Sequence, residues 1–489
     1  MGHKHSHVGE PTSDHATRRS ISDRPLATSR MPQIEGLVKI LTKKTLGEKS
    51  ASGIAAEIFA KYVFPPYQDL GERLFMYFAH LIHSEHENIL SAKNFAVAME
   101  NFFTSQIQDE LQLDVYLKLY GESDWMNITP TGFRKLMLIA YTIAVDHYSG
   151  GPASCKYYSR TINAVVDAVF HHKTSLSQSY VSQWILQNCP RLTYGLHRYV
   201  LHTLSTSYRR EGEESSGLEA STPVLDEEPD FSSDDILLPL SEVWLLAVSL
   251  PELYTRPSSS PTRATPNGLS PQSVIAKMMG SVCPSHWTLL YRSSEDGLGS
   301  NRFNHHVLHY RGPTVMVINC ENDMQYCIAS SMEWRETHQY WGDHNCVLLQ
   351  ILPEFHRLAG GEPKLLYFNE SIRGYPVGIR VGPAPQRPIL EVNADFTHVI
   401  HQGAPYSLIE LQVWGCGSEQ LREAQLDVKR LQIKDAEKAR KVKINPEDWV
   451  DNPDRYLLEL AGHPTFAREN PRHSSMEEGS SRNQGQRHS

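Results

Sequence analysis

A chain of 489 residues is long enough for two or three domains, and 40% hydrophobic with 21% charged residues is the composition of a soluble globular protein. The formal net charge is −9, but ten carboxylates and no lysine or arginine lie between Glu211 and Asp235, so the rest of the chain is close to neutral. Nucleic-acid binding requires a basic surface, so this balance excludes nucleic acid as a main partner.

The N-terminal arm, residues 1–31, is rich in histidine, serine and arginine and has no apolar periodicity, which predicts disorder. It begins Met1-Gly2-His3-Lys4-His5-Ser6, the pattern of N-myristoylation at Gly2. One myristoyl chain binds a membrane with an association constant of only about 10⁴ M⁻¹, so stable anchoring needs a second contact. Two alternatives remain: a copper or zinc site formed by a free α-amine and the nearby imidazoles, and an arm with no specific role.

Apolar residues recur at helical spacing over residues 32–208, which predicts an all-α domain. One predicted helix starts after Ser91, a potential N-cap, and a second starts at Thr129-Pro130, a capping residue followed by proline in the first turn. The first of these helices carries an apolar face formed by Phe95, Ala98, Met99, Phe102 and Phe103. The other predicted helices cover residues 51–63, 72–83, 106–120, 157–171, 177–188 and 195–207.

Two segments between these helices have the length of an EF-hand calcium loop, His83–Asn94 and Gly121–Gly132. Calcium requires carboxylate and other hard oxygen ligands, with Asp at the first and a bidentate Glu at the twelfth loop position. Neither segment has a carboxylate at either end. The sequence therefore predicts an EF-hand-like helical scaffold that does not bind calcium.

Two linker-like stretches flank a short apolar run. The acidic segment 209–235 predicts a solvated linker, and the serine- and proline-rich segment 256–271 predicts an exposed loop. The apolar run 236–253 between them is interrupted by Glu242 and two prolines, so it falls short of the roughly 18 uninterrupted residues that a membrane span needs. We expect either a buried strand or a short core helix there.

Strand patterns dominate after residue 271. Ile409, Leu411 and Val413 alternate with polar residues, which is the period of a half-buried strand. Asn322-Asp323 supplies turn residues for a hairpin. The predicted strands are 314–319, 326–330, 347–352 and 408–414. Together with the helical segment they predict an α+β protein whose second domain is mostly antiparallel and has two sheets.

Short motifs recur through this second domain in a fixed order. They are Trp287–Gly297, Ser300–Phe303, Arg311–Thr314, Trp334, Gly342–Cys346, Tyr367–Asn369, Gly378–Gly382 and Leu411–Gly415. Their order and spacing resemble those of the TLDc domain, which implies a two-sheet antiparallel β domain flanked by helices over residues 236–417. The chain departs from the family at Arg380, in a run where glycines are usual, and at Glu391, where an aromatic residue is usual.

The resemblance also implies a class of function. TLDc domains have no established active site, so it favours a partner-binding protein over an enzyme. The architecture is similar to TLDc proteins that combine a myristoylated N-terminus, an EF-hand-like domain, TLDc and a C-terminal helix. Those proteins imply a cytoplasmic, lipid-tethered adaptor on lysosomal membranes that binds the vacuolar-type proton ATPase and takes part in mTOR signalling and stress protection. No cofactor is implied.

The alternative function is redox protection or thiol-based catalysis by the TLDc cysteines. The seven cysteines are odd in number and lack the CxxC spacing, which indicates reduced, mostly buried thiols in a cytosolic protein. The chain has no nucleophile-elbow, P-loop or dinucleotide-binding pattern. The cysteines are residues 155, 189, 283, 320, 327, 346 and 416.

One further histidine pair and the C-terminal helix complete the candidate sites. His305 and His309 would share a helix face at the spacing of zinc ligands, but packing or exposed histidines are the preferred interpretation. Residues 418–444 predict a long, charged helix, followed by a short helical element within 445–470 and a disordered tail, 471–489. This helix carries an apolar stripe that we interpret as a partner-binding surface, formed by Leu421, Ala424, Val428 and Leu431.

Overall fold

The computed structural model describes residues 31–83, 88–105, 109–122, 125–146, 155–210, 238–255 and 287–440, together with Leu457 and Leu460. Several predictions concern segments outside these residues. They are the N-terminal arm with Gly2, the acidic linker beyond residue 210, the serine- and proline-rich loop, almost all of the element within 445–470, and the tail.

The N-terminal part is helical, as the apolar periodicity predicts. Ser91 Oγ accepts from the Asn94 backbone N–H at 3.2 Å, and Thr129 Oγ1 accepts from that of Gly132 at 3.1 Å, so both predicted caps are confirmed. The helices are α1 (Pro32–Lys49), α2 (Ala56–Val63), α3 (Gln68–Leu81), α4 (Ala92–Ser105), α5 (Asp109–Tyr120), α6 (Pro130–Val145), α7 (Tyr158–Phe170), α8 (Gln178–Asn188) and α9 (Tyr194–Thr206).

The helix predicted over 51–63 starts late, at Ala56, because the two residues before it form a strand. This strand, β1 (Ile54–Ala55), pairs with β2 (Ile89–Leu90), and β3 (Asn127–Ile128) pairs with β4 (Leu176–Ser177). Each pair joins the loops of two helix–loop–helix units, as in paired EF-hands. The prediction recognised one loop of each pair and missed the partner.

The C-terminal part is an antiparallel sheet. Its strands are β5 (Thr288–Arg292), β6 (Thr314–Cys320), β7 (Gln325–Ser330), β8 (Val347–Leu352), β9 (His356–Gly360), β10 (Leu366–Asn369), β11 (Gly378–Val381), β12 (Leu390–Val392), β13 (His398–His401) and β14 (Ala404–Gly415). The strand order is β10-β11-β12-β13-β14-β6-β7-β8-β9, and β5 pairs only with β14. The long strand β14 connects the two halves of the sheet, because its first residues pair with β13 and its last residues pair with β6 and β5.

The two halves of the sheet enclose one core. Met316 and Ile318 of β6 pack in the same buried cluster as Ile379 of β11 and Val392 of β12. Asn322 and Asp323 both have positive φ in the turn between β6 and β7, which confirms the predicted hairpin and gives it a type I′ geometry. The prediction of an α+β fold with a mostly antiparallel second domain is confirmed, although its strands form one sheet with two halves that share β14 rather than two separate sheets.

The opposite face of β6–β8 packs against the helices. Val317, Cys327 and Leu349 lie in a second buried cluster with residues of α6, α7 and α10 (Leu240–Ser249). The strands are therefore buried on both faces, which explains their nearly continuous apolar sequences. The run 236–253, for which a strand or a core helix was expected, is the helix α10, and all ten of its residues are buried.

Three further helices belong to the sheet domain and its C-terminus. They are α11 (Ser293–Asp296), α12 (Ser300–Val307) and α13 (Glu419–Arg440). The described residues up to Leu426 form one compact unit, and Asp427 starts a second. In the described part of the chain, no helix is long and apolar enough to cross a membrane.

Candidate functional site

The predicted partner-binding helix is present as α13, and its first turns pack on the sheet domain. Leu421 is half-buried against the core cluster that contains Met316 and Ile318. It lies so close to Gly312 and Gly417 that a Cβ on either would meet its Cδ1, at 2.9 Å and 2.5 Å respectively. These two glycines therefore provide the space that Leu421 occupies. Leu421 is part of the fold rather than of a free surface.

Gln425 fixes the same turn by hydrogen bonds. Its side chain is fully buried, and Nε2 donates to the backbone carbonyls of His306 and Leu308, each at 3.0 Å. Those carbonyls lie at the C-terminal end of α12, where helical partners are missing. Sequence reasoning missed Gln425 because an isolated glutamine on a charged helix carries no periodic signal.

The rest of the predicted stripe is differently placed. Ala424 is exposed and Val428 is half-buried. Leu431 is 60% exposed, which leaves a large apolar side chain in water. Beyond Leu426 the helix carries ion pairs three residues apart, Arg430 with Asp427 and Lys438 with Asp435. Leu431, in the second unit, is therefore the large apolar side chain of the predicted stripe that is exposed.

The cysteine thiols are poorly suited to nucleophilic chemistry. The six cysteines within the described residues are all buried. Burial raises the pKa of Cys320 to about 12 and raises the pKa values of Cys189, Cys327 and Cys416 further, so the reactive thiolate is strongly disfavoured. This arrangement does not favour the redox alternative.

The histidine pair does not have the geometry that its spacing suggested. Helix α12 ends at Val307, Leu308 is extended, and His309 has a φ of 68°, so His305 and His309 do not share a helix face. The expectation of a common face is wrong because the backbone turns before the next helical turn is completed. In the part of the chain that the structure describes, no group of three or more potential ligands could hold a metal ion.

The two predicted loops have the register of EF-hands without their ligands. Leu90 and Ile128, the paired strand residues, are the eighth residues of the windows that start at His83 and Gly121. A Cβ on Gly132, at the twelfth position, would lie 2.2 Å from the Tyr120 carbonyl oxygen. The close backbone approach therefore leaves no space for the bidentate glutamate of a calcium loop.

We expect the full chain to show no calcium binding at micromolar concentration, because both loops lack the terminal carboxylates. Titration calorimetry of protein first treated with chelator is the measurement. A saturable isotherm, or a thermal melt that rises with added calcium, would contradict this expectation.

The two positions that depart from the family pattern lie opposite each other. Arg380 on β11 and Glu391 on β12 are cross-strand partners, and Nη2 of the arginine lies 2.8 Å from Oε2 of the glutamate. The two unusual residues therefore form an ion pair, in which each side chain neutralises the charge of the other. Opposite charges at such positions stabilise a strand pair.

Comparison with known proteins agrees with this architecture. A family model described as the TLDc domain matches residues 271–429. The chain is 25% identical over 194 residues to "MTOR-associated protein MEAK7" of Homo sapiens, which covers 36% of this chain and 39% of that protein. It is 26% identical over 162 residues to "Restriction of telomere capping protein 5" of Saccharomyces cerevisiae, which covers 26% of this chain and 28% of that protein. The matches thus span less than half of the length of either relative.

Proposed function

We propose that this chain, whose residues 271–429 match the TLDc family model, is a non-enzymatic adaptor of mTOR signalling that binds its partners through α13. The similarity to a human protein named as mTOR-associated supports the signalling role. The observation that carries the binding role is the exposure of Leu431 on a helix whose preceding turns are packed. A helix whose first turns are packed and whose later turns expose an apolar side chain can bind in a groove on a partner protein.

The partner that we propose is the vacuolar-type proton ATPase on lysosomal membranes. This assignment comes from the resemblance to TLDc proteins with a lipid-modified N-terminus. The burial of the cysteine thiols supports the non-enzymatic part of the proposal. The lipid is a myristoyl group on Gly2, and ATPase binding provides the second contact that one acyl chain needs for stable anchoring.

The binding role is tested by truncation at two points. A chain ending at Leu426 keeps Leu421 and Gln425 and loses the exposed stripe, so we expect about tenfold weaker binding to the purified ATPase, with an unchanged thermal melt. A chain ending at Arg440 is the control and should bind like the full chain.

A point variant separates the apolar stripe from the remainder of the helix. Leu431→Asp should weaken binding like the shorter truncation, whereas Leu111→Asp, at an exposed leucine in α5, should not. Equal binding by the chain ending at Leu426 and the full chain would show that the part of α13 after Leu426 is not needed for recognition and would contradict the proposal.

The lipid anchor is tested separately. Intact mass of protein produced with N-myristoyltransferase should increase by one myristoyl group, and Gly2→Ala should prevent the increase and move the protein from membranes to cytosol. Unmodified Gly2 in native protein would contradict the lipid anchor. It would not affect the proposal that α13 binds the ATPase, which the truncations test.

A further inference from the structure

A cleft of about 500 Å³ opens in the sheet domain, and no residue of α13 is among those that line it. Its lining includes His338 and Tyr340 from the loop before β8, Lys364 and Tyr367 at β10, and Arg380 on β11. The volume lies within the range of about 300–1,000 Å³ that is typical of ligand sites. Of these residues, Arg380 is also the cross-strand partner of Glu391 described above.

The cleft is cationic. Lys364 and Arg380 line it, and no aspartate or glutamate is among the described residues that do so. Glu391 forms an ion pair with Nη2 of Arg380. Nε of the same guanidinium is buried and has no hydrogen-bond partner within the described residues. The buried hydroxyl of Tyr340 also lacks a partner there. The cleft therefore carries the positive charge of Lys364 and the partly compensated charge of Arg380, which suits an anionic ligand.

Aromatic rings form the apolar part of the cleft. The rings of Tyr340 and Tyr367 lie 5.2 Å apart at an interplanar angle of 30°, and His338 lies 5.1 Å from Tyr375. At the rim, Tyr375 is 47% exposed and its neighbour Val377 is 45% exposed. The apolar surface thus continues beyond the cavity, which suits an extended chain better than a compact small molecule. Aromatic faces of this kind bind other rings in stacked or edge-on geometry.

We propose that this cleft binds an acidic peptide segment of a partner protein, anchored by an aromatic side chain. The carboxylates of the peptide would contact Lys364 and the Arg380 region, and its aromatic ring would pack on the tyrosines. The inference does not depend on the ATPase or on α13.

The test uses fluorescence anisotropy of the full chain with a labelled peptide, acetyl-EEEFEE-amide. We expect saturable binding that weakens with added salt, because the contacts are electrostatic and partly exposed. The neutral peptide QQQFQQ and the anchorless peptide EEEAEE should each bind at least about tenfold more weakly. Equal binding by the neutral peptide would overturn the proposal.

A charge swap provides the matched variant. Arg380→Glu with Glu391→Arg keeps the cross-strand pair and the net charge but moves the positive charge out of the lining, so affinity should fall by about tenfold. The corresponding swap of Arg311 and Glu333, an exposed pair elsewhere, should leave affinity unchanged. Lys364→Glu, at an exposed side chain, should also weaken binding, and this variant keeps the test decisive if the swap impairs folding.

A final arm identifies the source of the peptide. The ten carboxylates between Glu211 and Asp235 are changed to their amides, and the labelled peptide is titrated again. Unchanged affinity supports a partner protein as the source. A clear gain in affinity would mean that the acidic segment of this chain competes for the cleft, which would overturn the assignment to a partner.

Discussion

Replacing Glu242 with glutamine should stabilise the protein above pH 7 and flatten the pH dependence of its stability. Glu242 is fully buried on α10, and desolvation raises the pKa of its carboxyl from 4.5 to about 7. Its Oε2 accepts from Gln325 Nε2 at 2.9 Å, and Arg160 Nη2 lies 3.4 Å from Oε1. Both contacts lower the pKa of Glu242, but desolvation raises it by more.

The sign of the effect follows from the direction of the shift. The folded state holds this proton more tightly than the unfolded state, so the stabilising contribution is complete below pH 4.5 and is lost as the pH rises through about 7. A shift of this size in the pKa of Glu242 corresponds to about 3 kcal/mol of unfolding free energy.

The glutamine of the variant can also form a hydrogen bond that the carboxylate cannot. The Gln325 Oε1 atom has no partner within the described residues, and the side-chain amide of the variant can donate to it after Gln325 reorients.

Urea unfolding at intervals between pH 5 and pH 8 is the measurement. The contribution of this residue to wild-type stability should fall by about 2.5 kcal/mol across this range, while the Glu242→Gln variant should lose most of that dependence. Glu362→Gln, at an exposed position, is the control and should follow the wild type. A Glu242→Gln variant that keeps the wild-type slope would show that another group titrates.

Much of the fold was predictable because its signals are local. Capping at Ser91 and Thr129, the turn at Asn322-Asp323 and the alternation in β14 each depend on residues that are neighbours in sequence. The late start of α2 was not predictable in this way, since it depends on pairing between residues 54–55 and 89–90, which are distant along the chain.

The functional surfaces were less predictable for the same reason. The pairing of Arg380 with Glu391 requires the register of β11 and β12, so sequence reasoning could identify two departures without relating them. Gln425 gains its role only from the end of α12, more than a hundred residues earlier. The stripe on α13 was predicted as one surface, whereas its first member, Leu421, packs in the core because Gly312 and Gly417 provide space.

Replacing Phe303 with alanine should have the largest effect on stability among the motif residues. Its ring is fully buried on α12 and lies 5.1 Å from that of Trp334, 5.2 Å from Phe368 and 5.7 Å from Phe396. Phe303 therefore joins the two halves of the sheet through one aromatic cluster. Deleting such a ring leaves a cavity that the rigid strands cannot fill, and the expected cost is about 3–5 kcal/mol of unfolding free energy.

Graded variants test whether this cost comes from packing. Phe303→Leu keeps part of the volume and should cost less than the alanine variant, and Leu298→Ala, at a leucine that is 46% exposed, should stay within about 0.5 kcal/mol of the wild type. Weaker partner binding should accompany the fall in stability of Phe303→Ala, whereas truncation at Leu426 should weaken binding without that fall. If Phe303→Ala instead lost binding at unchanged stability, the motif would form a recognition site. The burial of Phe303 and Trp334 favours the structural role, since a side chain without exposed surface cannot contact a partner.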